Sequence, residues 1–215
     1  MRLVPVPGVF KPHSDSLMLA EQVRREPLVH GDVLDLCTGS GVLAVTAALC
    51  GAASVTAVDV SRRSLLAVQL SAIRNGVRVE TVRGNLFEPL AGRRFDLIVS
   101  NPPYLPSETD LLPSSGPSRA WEGGTNGRLF IDRICAEVGD HLTPGGAMLL
   151  LHSSLCSEQA TIAALQSQDC DVHVVWRSTG SLGRRLHARA GMLRARGLIG
   201  EDEVEDILIF RARRR

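Results

Sequence analysis

The chain has 215 residues, of which 44% are hydrophobic, and its formal net charge is +1. This length and composition fit a single domain over residues 1–215 with a sizeable core. No apolar run approaches the roughly 20 residues that a membrane span needs, and no secretory signal pattern opens the chain. The near-zero charge gives no electrostatic reason to expect a nucleic-acid partner. The five cysteines are scattered without paired spacing, so we expect reduced thiols, no metal site and a cytoplasmic protein.

The first predicted element is a helix that begins near Ser14 and ends before Pro27. Ser14 is a candidate N-cap for this helix. We expect residues 1–30 to form a lid and helix, with the turn at Asp15 and Ser16 lying over a ligand pocket. The apolar residues that indicate the helix are Leu17, Leu19, Ala20 and Val23.

A strand, a glycine-bearing loop and a helix are predicted next, over Val33–Leu36 and Val42–Leu49. Gly39 and Gly41 lie in the loop, where glycine allows a sharp turn and the close approach of a ligand. The start of the helix offers unpaired N–H groups to such a ligand. This pattern is typical of an α/β nucleotide-binding unit.

The loop also fits the dinucleotide-binding fingerprint, with Ala44 at the third position and Asp59 twenty residues after Gly39. Asp35 alters this interpretation, because its carboxylate would repel a pyrophosphate and attract an ammonium group. S-adenosylmethionine carries an ammonium, a sulfonium and a ribose diol but no phosphate. The pattern therefore favours a methyl donor over a nicotinamide cofactor, and a glycine turn without a ligand is the remaining alternative.

The second strand is predicted over Ser54–Val58 and the third over Val77–Val82. The helix between them has Ser61 as its N-cap and ends near Asn75. The third strand leads into a polar corner at Asn85. We expect the helix to direct five apolar side chains inward, namely Leu65, Leu66, Val68, Leu70 and Ile73.

The most specific feature is Asn101–Pro102–Pro103–Tyr104, which follows a predicted strand over Phe95–Ser100. Two successive prolines stiffen the chain and hold a carbonyl at a fixed angle. Asn101 adds a second acceptor and Tyr104 a flat ring. This combination suits a planar NH₂ group, whose nitrogen would point at the methyl donor, and positioning would carry the catalysis.

The rest of the chain predicts a long substrate-side loop over Leu105–Pro117, followed by alternating helices and strands. We expect a basic insertion over 177–204, before the last strand. No acid occurs from Val172 to Gly200, a stretch with six arginines, namely Arg177, Arg184, Arg185, Arg189, Arg194 and Arg196. These arginines either pair with the acidic block at 201–206 or form a rim, 177–196, that makes weak RNA contact. The predicted elements are helices over Leu129–Leu142 and Glu158–Gln166 and strands over Ala147–Leu151, Cys170–Trp176 and Ile207–Arg211, with a frayed tail at Arg213–Arg215.

These motifs resemble the HemK-type protein methyltransferases, and in particular their short branch, from Val9 to Phe210. Residues Val9–Leu19 are similar to the entrance motif, with Ser16 where the family more often has threonine. The glycine loop resembles motif I of class I methyltransferases, and Asn101–Tyr104 the NPPY motif. Ala120–Arg128 is similar to the family's Gly-Gly-x-Asp-Gly segment, with Asn126 in the place of the acid.

The resemblance implies an α/β, three-layer Rossmann-like fold with a seven-stranded, mostly parallel sheet whose last strand is antiparallel. It implies S-adenosylmethionine as cofactor, with Asp59 on the ribose hydroxyls and Asn85, in place of the usual acid, on the adenine amino group. The acceptor nitrogen would be held by Asn101, Pro102 and Tyr104. The full set expected to bind the cofactor is Ser16, Asp35, Thr38, Gly39, Gly41, Asp59, Val60, Asn85, Leu86 and Asn101.

The leading hypothesis is N5-methylation of a glutamine side chain in a protein such as a translation release factor, with a small activator subunit as a further partner. A second hypothesis is methylation of a nucleic acid at adenine N6 or guanine N2. A third is a non-catalytic subunit that binds S-adenosylmethionine or serves only as a scaffold.

Overall fold

The computed structural model describes residues 1–111, 113 and 116–215. Within this part of the chain there are seven strands and seven α-helices, numbered in chain order. The strands are β1 Asp32–Leu36, β2 Ser54–Asp59, β3 Glu80–Arg83, β4 Phe95–Ser100, β5 Leu142–Ser153, β6 Cys170–Ser181 and β7 Val204–Arg214. The helices are α1 Ser14–Arg25, α2 Val42–Leu49, α3 Arg62–Asn75, α4 Leu129–His141, α5 Glu158–Gln166, α6 Arg184–His187 and α7 Ala190–Ala195.

The strands form one sheet in the order β3-β2-β1-β4-β5-β7-β6. β7 runs antiparallel to both of its neighbours, and the other paired strands run parallel. α1 packs on α2 and α2 on α3, whereas α4 packs on α5. This is the predicted three-layer α/β fold with a reversed strand β7, and the prediction is confirmed.

The centre of the sheet explains where a ligand can bind. β1 and β4 are neighbours, and both are apolar runs buried almost throughout, as expected for inner parallel strands. The chain passes from β1 outward to β2 and β3, then returns to β4 on the other side of β1. The strand order therefore reverses between β1 and β4, and the crevice at their carboxyl ends is the usual ligand site of such folds.

Several element boundaries differ from the sequence predictions, and β6 and β7 are both longer than predicted. The N-cap of α1 is His13, without a side-chain cap, so Ser14 is the first helical residue and not the cap. β3 begins at Glu80, three residues later than predicted, because Val77 closes the end of α3 through its N–H. β5 begins at Leu142, since the Pro-Gly-Gly segment at 144–146 is part of the strand and does not end a helix.

The inward face of α3 also differs from the prediction. Leu66, Leu70 and Ile73 are 46%, 38% and 75% exposed. The buried face carries mostly small residues, because α2 and α3 approach each other closely: a Cβ at Gly41 would lie 2.8 Å from Val68 Cγ2. The residues buried on α3 are Ser64, Leu65, Ala67, Val68, Ser71 and Ala72.

The basic insertion is shorter than predicted. Residues 177–181 belong to β6 and pair with the start of β7, which leaves 182–203 as the connection that contains α6 and α7. This connection has a small core of its own, formed by Leu155, Leu182, Leu186 and Leu193. The predicted frayed tail is wrong for Arg213 and Arg214, which lie in β7. Arg214 donates to the carbonyls of Gly139 and Leu142, so the end of the strand is attached to the end of α4.

All five cysteines are free thiols. In the described residues, no helix combines the length and the apolar character needed to cross a bilayer.

Candidate active site

A cavity of about 1150 Å³ opens at the carboxyl ends of β1 and β4. Its wall is formed by the glycine loop, the ends of β2 and β4, the first turn of α1 and the start of the 182–203 connection. Small-molecule sites usually have ~300–1,000 Å³. The cavity therefore has room for a donor and for part of a second molecule.

The glycine loop contributes Thr38 and Gly39 to the cavity wall, but not Gly41. Gly39 has φ +53°, and a Cβ built on it would meet only the carbonyl oxygen of Cys37, at 3.9 Å. A ligand can therefore approach the backbone at Gly39 closely. Gly41, with φ +79°, faces α3 and is needed for helix packing, a different role from the ligand contact that was predicted.

Asp35 lies beneath this loop, fully buried, and is not part of the cavity wall. Its Oδ2 accepts hydrogen bonds from Thr38 Oγ1 at 2.6 Å and from the Ala44 N–H at 2.9 Å, which joins the loop to α2. Oδ1 has no partner, the one such buried side-chain atom found in the described residues. Burial raises the pKa of Asp35 to about 7. Asp35 therefore shapes the loop from beneath, and its attraction for a ligand ammonium stays a prediction.

Asp59, at the end of β2, lies on the cavity wall beside Val60. Its two carboxylate oxygens accept the N–H groups of Gly39 and Ser61, at 2.9 and 2.8 Å. Burial raises the pKa of Asp59, and these two hydrogen bonds oppose the shift. The carboxylate is therefore held at a fixed place next to Gly39, where it can accept hydrogen bonds from a diol.

Asn85 and Leu86 form the adjacent part of the wall. Asn85 Oδ1 accepts a hydrogen bond from Arg133 at 3.2 Å, and Asn85 Nδ2 donates to Glu88 at 2.7 Å. An amide oxygen can accept two hydrogen bonds, so Oδ1 retains capacity for an adenine amino group. Leu86 has φ +53°, a strained value for a leucine and one that is common near functional sites.

The predicted acceptor residues Asn101, Pro102 and Tyr104, which follow β4, all lie on the cavity wall. Two consecutive residues of α1 contact them. Asn101 Nδ2 donates to Ser16 Oγ at 3.1 Å, and the Tyr104 hydroxyl donates to Asp15 Oδ2 at 2.9 Å. Burial and the nearby carboxylate of Asp15 hold the pKa of Tyr104 well above its ordinary value. The structure thus brings the predicted acceptor residues and the glycine loop to one cavity.

The segment 120–128 lies against the predicted acceptor residues. The Leu105 N–H donates to the Trp121 carbonyl at 2.7 Å, and the Gly123 N–H donates to the Leu105 carbonyl at 2.9 Å. A Cβ at Gly123 would lie 2.8 Å from Tyr104 Cα, so this contact requires glycine. Asn126 Oδ1 accepts the Arg128 N–H at 2.9 Å and shapes the turn before α4.

The predicted substrate-side loop, Leu105–Pro117, includes residues 112, 114 and 115, which lie outside the described residues. Its beginning is held by arginines of the 182–203 connection. Arg189 donates to the Pro106 carbonyl at 2.7 Å and pairs with Glu122 at 2.9 Å. Arg196 donates to the Ser107 carbonyl at 2.6 Å. These two arginines therefore tie the start of the loop to the 182–203 connection through its backbone carbonyls.

Two other arginines of the basic stretch pair with the acidic block at 201–206, as the first of the two alternatives predicted. Arg177 pairs with Asp206 at 2.5 Å, and Arg194 pairs with Glu203. With four of the six arginines engaged within the protein, the basic rim predicted to contact RNA lacks support.

The group of residues at the mouth of the cavity was not predicted from the sequence. Trp121, Phe10 and Arg185 come together there, with the Arg185 guanidinium 4.2 Å from the Trp121 ring centroid. Their separation in the chain hides this contact. Cys37 was also overlooked as a lining residue, although its φ of +58° places a side chain where glycine would be usual. Burial raises the pKa of its thiol, which is therefore protonated and unreactive at neutral pH.

Comparison with known proteins agrees with this geometry. Residues 1–111 match the model of the methyltransferase small domain. A Methanocaldococcus jannaschii protein, provisionally named a protein N5-glutamine methyltransferase, is 33% identical over 160 residues, which cover 74% of this chain and 80% of the relative. The release factor glutamine methyltransferase of Geobacter sulfurreducens is 37% identical over 154 residues, 68% of this chain and 54% of that protein. The chain thus spans only about half the length of this second relative.

Among solved structures, the Mtq2-Trm112 complex of E. cuniculi, described as responsible for methylating the translation termination factor eRF1, has a TM-score of 0.64 at 22% identity. The match covers 97% of this chain and 99% of that one. At this identity it supports the fold alone. The predicted methyltransferase assignment is confirmed, and with it S-adenosylmethionine as the cofactor of the class. The chain belongs to the methyltransferase small domain family, within its HemK-type branch.

Proposed function

We propose that the protein transfers a methyl group from S-adenosylmethionine to the side-chain amide nitrogen of a glutamine in another protein, a translation release factor. The observation that carries the proposal is that Asn101, Pro102 and Tyr104 line the same cavity as the glycine loop. A planar amide fits these residues, whereas a larger or tetrahedral acceptor would use them less completely.

On the donor side, the residues present fit the cofactor. Asp59 is held on the cavity wall by two backbone N–H groups and can accept hydrogen bonds from the ribose hydroxyls. Gly39 allows the ligand to approach the backbone, and Asn85 offers an amide oxygen for the adenine amino group. S-adenosylmethionine supplies a methyl group that its sulfonium already makes electrophilic. The protein therefore has to orient and shield the reactants more than to activate them.

On the acceptor side, Asn101 Oδ1 and the Pro102 carbonyl can each accept one hydrogen of the amide NH₂ group. Asn101 uses its Nδ2 towards Ser16, which leaves Oδ1 for the acceptor. Tyr104 is 9% exposed and its hydroxyl is fixed by Asp15, so its ring can border the amide plane. Positive charge develops on the nitrogen as it accepts the methyl group, and two oxygen acceptors stabilise that charge. Loss of one N–H proton to water then gives the neutral N-methyl amide.

The names of the relatives support glutamine as the acceptor and a release factor as its carrier. Because the similar solved structure is a complex of two proteins, Mtq2 and Trm112, we also propose an accessory subunit as a partner for this chain. Methyl transfer by the purified chain, measured alone and with an accessory subunit, tests that second point directly.

The proposal is tested by incubating the purified chain with S-adenosylmethionine labelled in its methyl group and with separate protein and RNA fractions. We expect label in a protein of the size of a release factor, and at least a hundredfold less with the Asn101→Ala variant. Label confined to RNA would support nucleic-acid methylation, and the absence of both transfer and cofactor binding would support a scaffold; either result contradicts the proposal.

A further inference from the structure

The first turn of α1 contacts both polar side chains of the acceptor site. Ser16 Oγ accepts from Asn101 Nδ2 at 3.1 Å, and Asp15 Oδ2 accepts from the Tyr104 hydroxyl at 2.9 Å. More than eighty residues separate each pair in the chain. Two consecutive helix residues thus hold two side chains that are only three positions apart.

Each contact restricts a freedom that matters for the acceptor. The amide of Asn101 can rotate by 180°, which exchanges an acceptor for a donor. In the observed orientation Nδ2 is occupied by Ser16, and Oδ1 is available to an incoming N–H group. In the reverse orientation an NH₂ group would face the NH₂ group of the substrate and repel it.

Tyr104 is restricted in a similar way. The ring is buried, and its hydroxyl donates to a carboxylate, a hydrogen bond stronger than one between neutral groups. The titratable groups that act on the phenol are Asp15, Glu205 and Cys156, and together with burial they keep it protonated. The ring is therefore held in one place before the substrate binds.

α1 is able to serve as a fixed support because it is anchored along its length. Leu19, Ala20 and Val23 are buried in the main core, with at most 1% exposure. Beyond the other end of the helix, Glu26 is paired with Arg211 of β7 at 2.7 Å. The first turn cannot move far without disturbing these contacts, so the rigidity of the sheet extends to the acceptor site.

We propose that Asp15 and Ser16 are positioning residues for methyl transfer, Ser16 by orienting the amide of Asn101 and Asp15 by fixing the ring of Tyr104. Ser16 was predicted to bind the cofactor, and this assignment gives its side chain a role towards the acceptor. The proposal rests on the proposed function for its kinetic consequences, but not for the two contacts themselves.

The Asp15 contact is tested by a double-mutant cycle with Tyr104. Asp15→Ala should lower kcat about tenfold, the loss of one hydrogen bond to a charged group, while the affinity for S-adenosylmethionine changes less than twofold. In the Tyr104→Phe background the same substitution should have almost no further effect, because its partner hydroxyl is absent. Asp15→Asn retains an acceptor oxygen and should retain most of the activity. Glu21→Ala, on the exposed face of the same helix, is the control.

The Ser16 contact is tested by comparing Ser16→Ala with Ser16→Thr. The alanine variant should lower kcat by a similar factor, and the threonine variant, which keeps the hydroxyl, should restore it. The proposal would be overturned if the effects of Asp15→Ala and Tyr104→Phe on the free energy of activation were additive. It would also be overturned if Ser16→Ala left kcat unchanged.

A measurement without any acceptor separates this proposal from the proposed function. The chain contains one tyrosine, so labelling tyrosine with carbon-13 at Cζ gives a single NMR signal that reports on the Tyr104 hydroxyl. Asp15→Ala should shift this signal and lower the pH at which it titrates, and Glu21→Ala should leave both unchanged. A chemical shift that is the same in Asp15→Ala and wild type would overturn the proposal even if glutamine methylation is established. A changed chemical shift would support it even if the acceptor is another group.

Discussion

Gly127 lies so close to the carbonyl of Tyr104 that a Cβ on it would clash with that oxygen and with the thiol of Cys156, which donates to the same carbonyl. Gly127 also has φ +76°, which disfavours any residue with a Cβ. Tyr104, which lines the cavity, is thus supported by a glycine that lies outside it.

The substitution Gly127→Ala should therefore displace Tyr104 and lower kcat by at least about tenfold, since even a 1 Å misplacement of a reacting group is costly. The affinity for S-adenosylmethionine, measured by calorimetry, should change less than threefold. Gly191→Ala is the matched control, because that glycine lies in α7 with open space around it. Equal kcat values for the two variants would show that Gly127 does not support the tyrosine.

Asp59 is expected to dominate binding of the donor. Asp59→Ala removes a carboxylate that can accept hydrogen bonds from the ribose hydroxyls, and such charged hydrogen bonds contribute about 1.5–3 kcal/mol. The dissociation constant of S-adenosylmethionine should rise about ten- to a hundredfold in calorimetry. Asp59→Asn, which retains one acceptor oxygen, should show a smaller increase. Unchanged affinity in both variants would exclude Asp59 from the donor site.

Asp35 should make the stability of the protein depend on pH. Its pKa is raised to about 7 by burial, so the folded state binds a proton that the unfolded state has already released. This contribution to the free energy of unfolding is fully present below about pH 4 and is lost as the pH rises through 7. Between about pH 5 and 7 the wild type should lose on the order of 2 kcal/mol relative to Asp35→Asn.

The Asp35→Asn variant is the reference in this comparison because asparagine resembles the neutral acid and does not titrate. Other groups with raised pKa values, Asp59 and Glu205, are present in both proteins and largely cancel. Urea unfolding at several pH values measures the difference. A constant difference between the two proteins across this range would mean that Asp35 is ionised in the fold throughout.

Replacing Arg196 should loosen the start of the substrate-side loop, whereas replacing Arg194, two residues earlier, should not. Arg196 donates to three backbone carbonyls, those of Ser107, Glu108 and Thr125, while Arg194 makes an exposed ion pair with Glu203. Exposed ion pairs contribute ~0–1 kcal/mol, so Arg194→Ala should be nearly neutral.

With Arg196→Ala we expect a higher KM for the acceptor and faster proteolysis within the loop after Leu105, with unchanged donor affinity. The salt dependence of acceptor binding should stay the same in both variants, because neither arginine is proposed to contact the substrate. A reduced salt slope for Arg196→Ala would instead favour the basic rim.

Much of the fold could be predicted from the sequence because the inner strands are short apolar runs that are followed by polar or glycine-containing loops. β1, β2 and β4 begin and end within a residue of their predicted limits. Which residues of α3 are buried could not be predicted, because their burial depends on how closely α2 approaches α3. Small residues such as Ala67 and Ser71 become core there, and Leu66 and Ile73 remain at the surface.

The lining of the cavity could be predicted where one local motif supplies it, as at Asn101–Tyr104. The role of a residue that acts through a distant partner was harder to predict. Asp35 in sequence is an acid beside a glycine loop, and only the fold shows that its carboxylate turns under the loop. The contact of Ser16 with Asn101 likewise joins segments that no spacing rule relates.

In the proposed function, the acceptor is a glutamine amide nitrogen bound by Asn101, Pro102 and Tyr104. The most direct test is tandem mass spectrometry of a release factor incubated with the protein and S-adenosylmethionine that carries a deuterated methyl group. We predict one added methyl group located on the side chain of a glutamine, and its loss when that glutamine is replaced by glutamate. A methyl group located on lysine, on a backbone nitrogen or on a nucleobase would contradict the account.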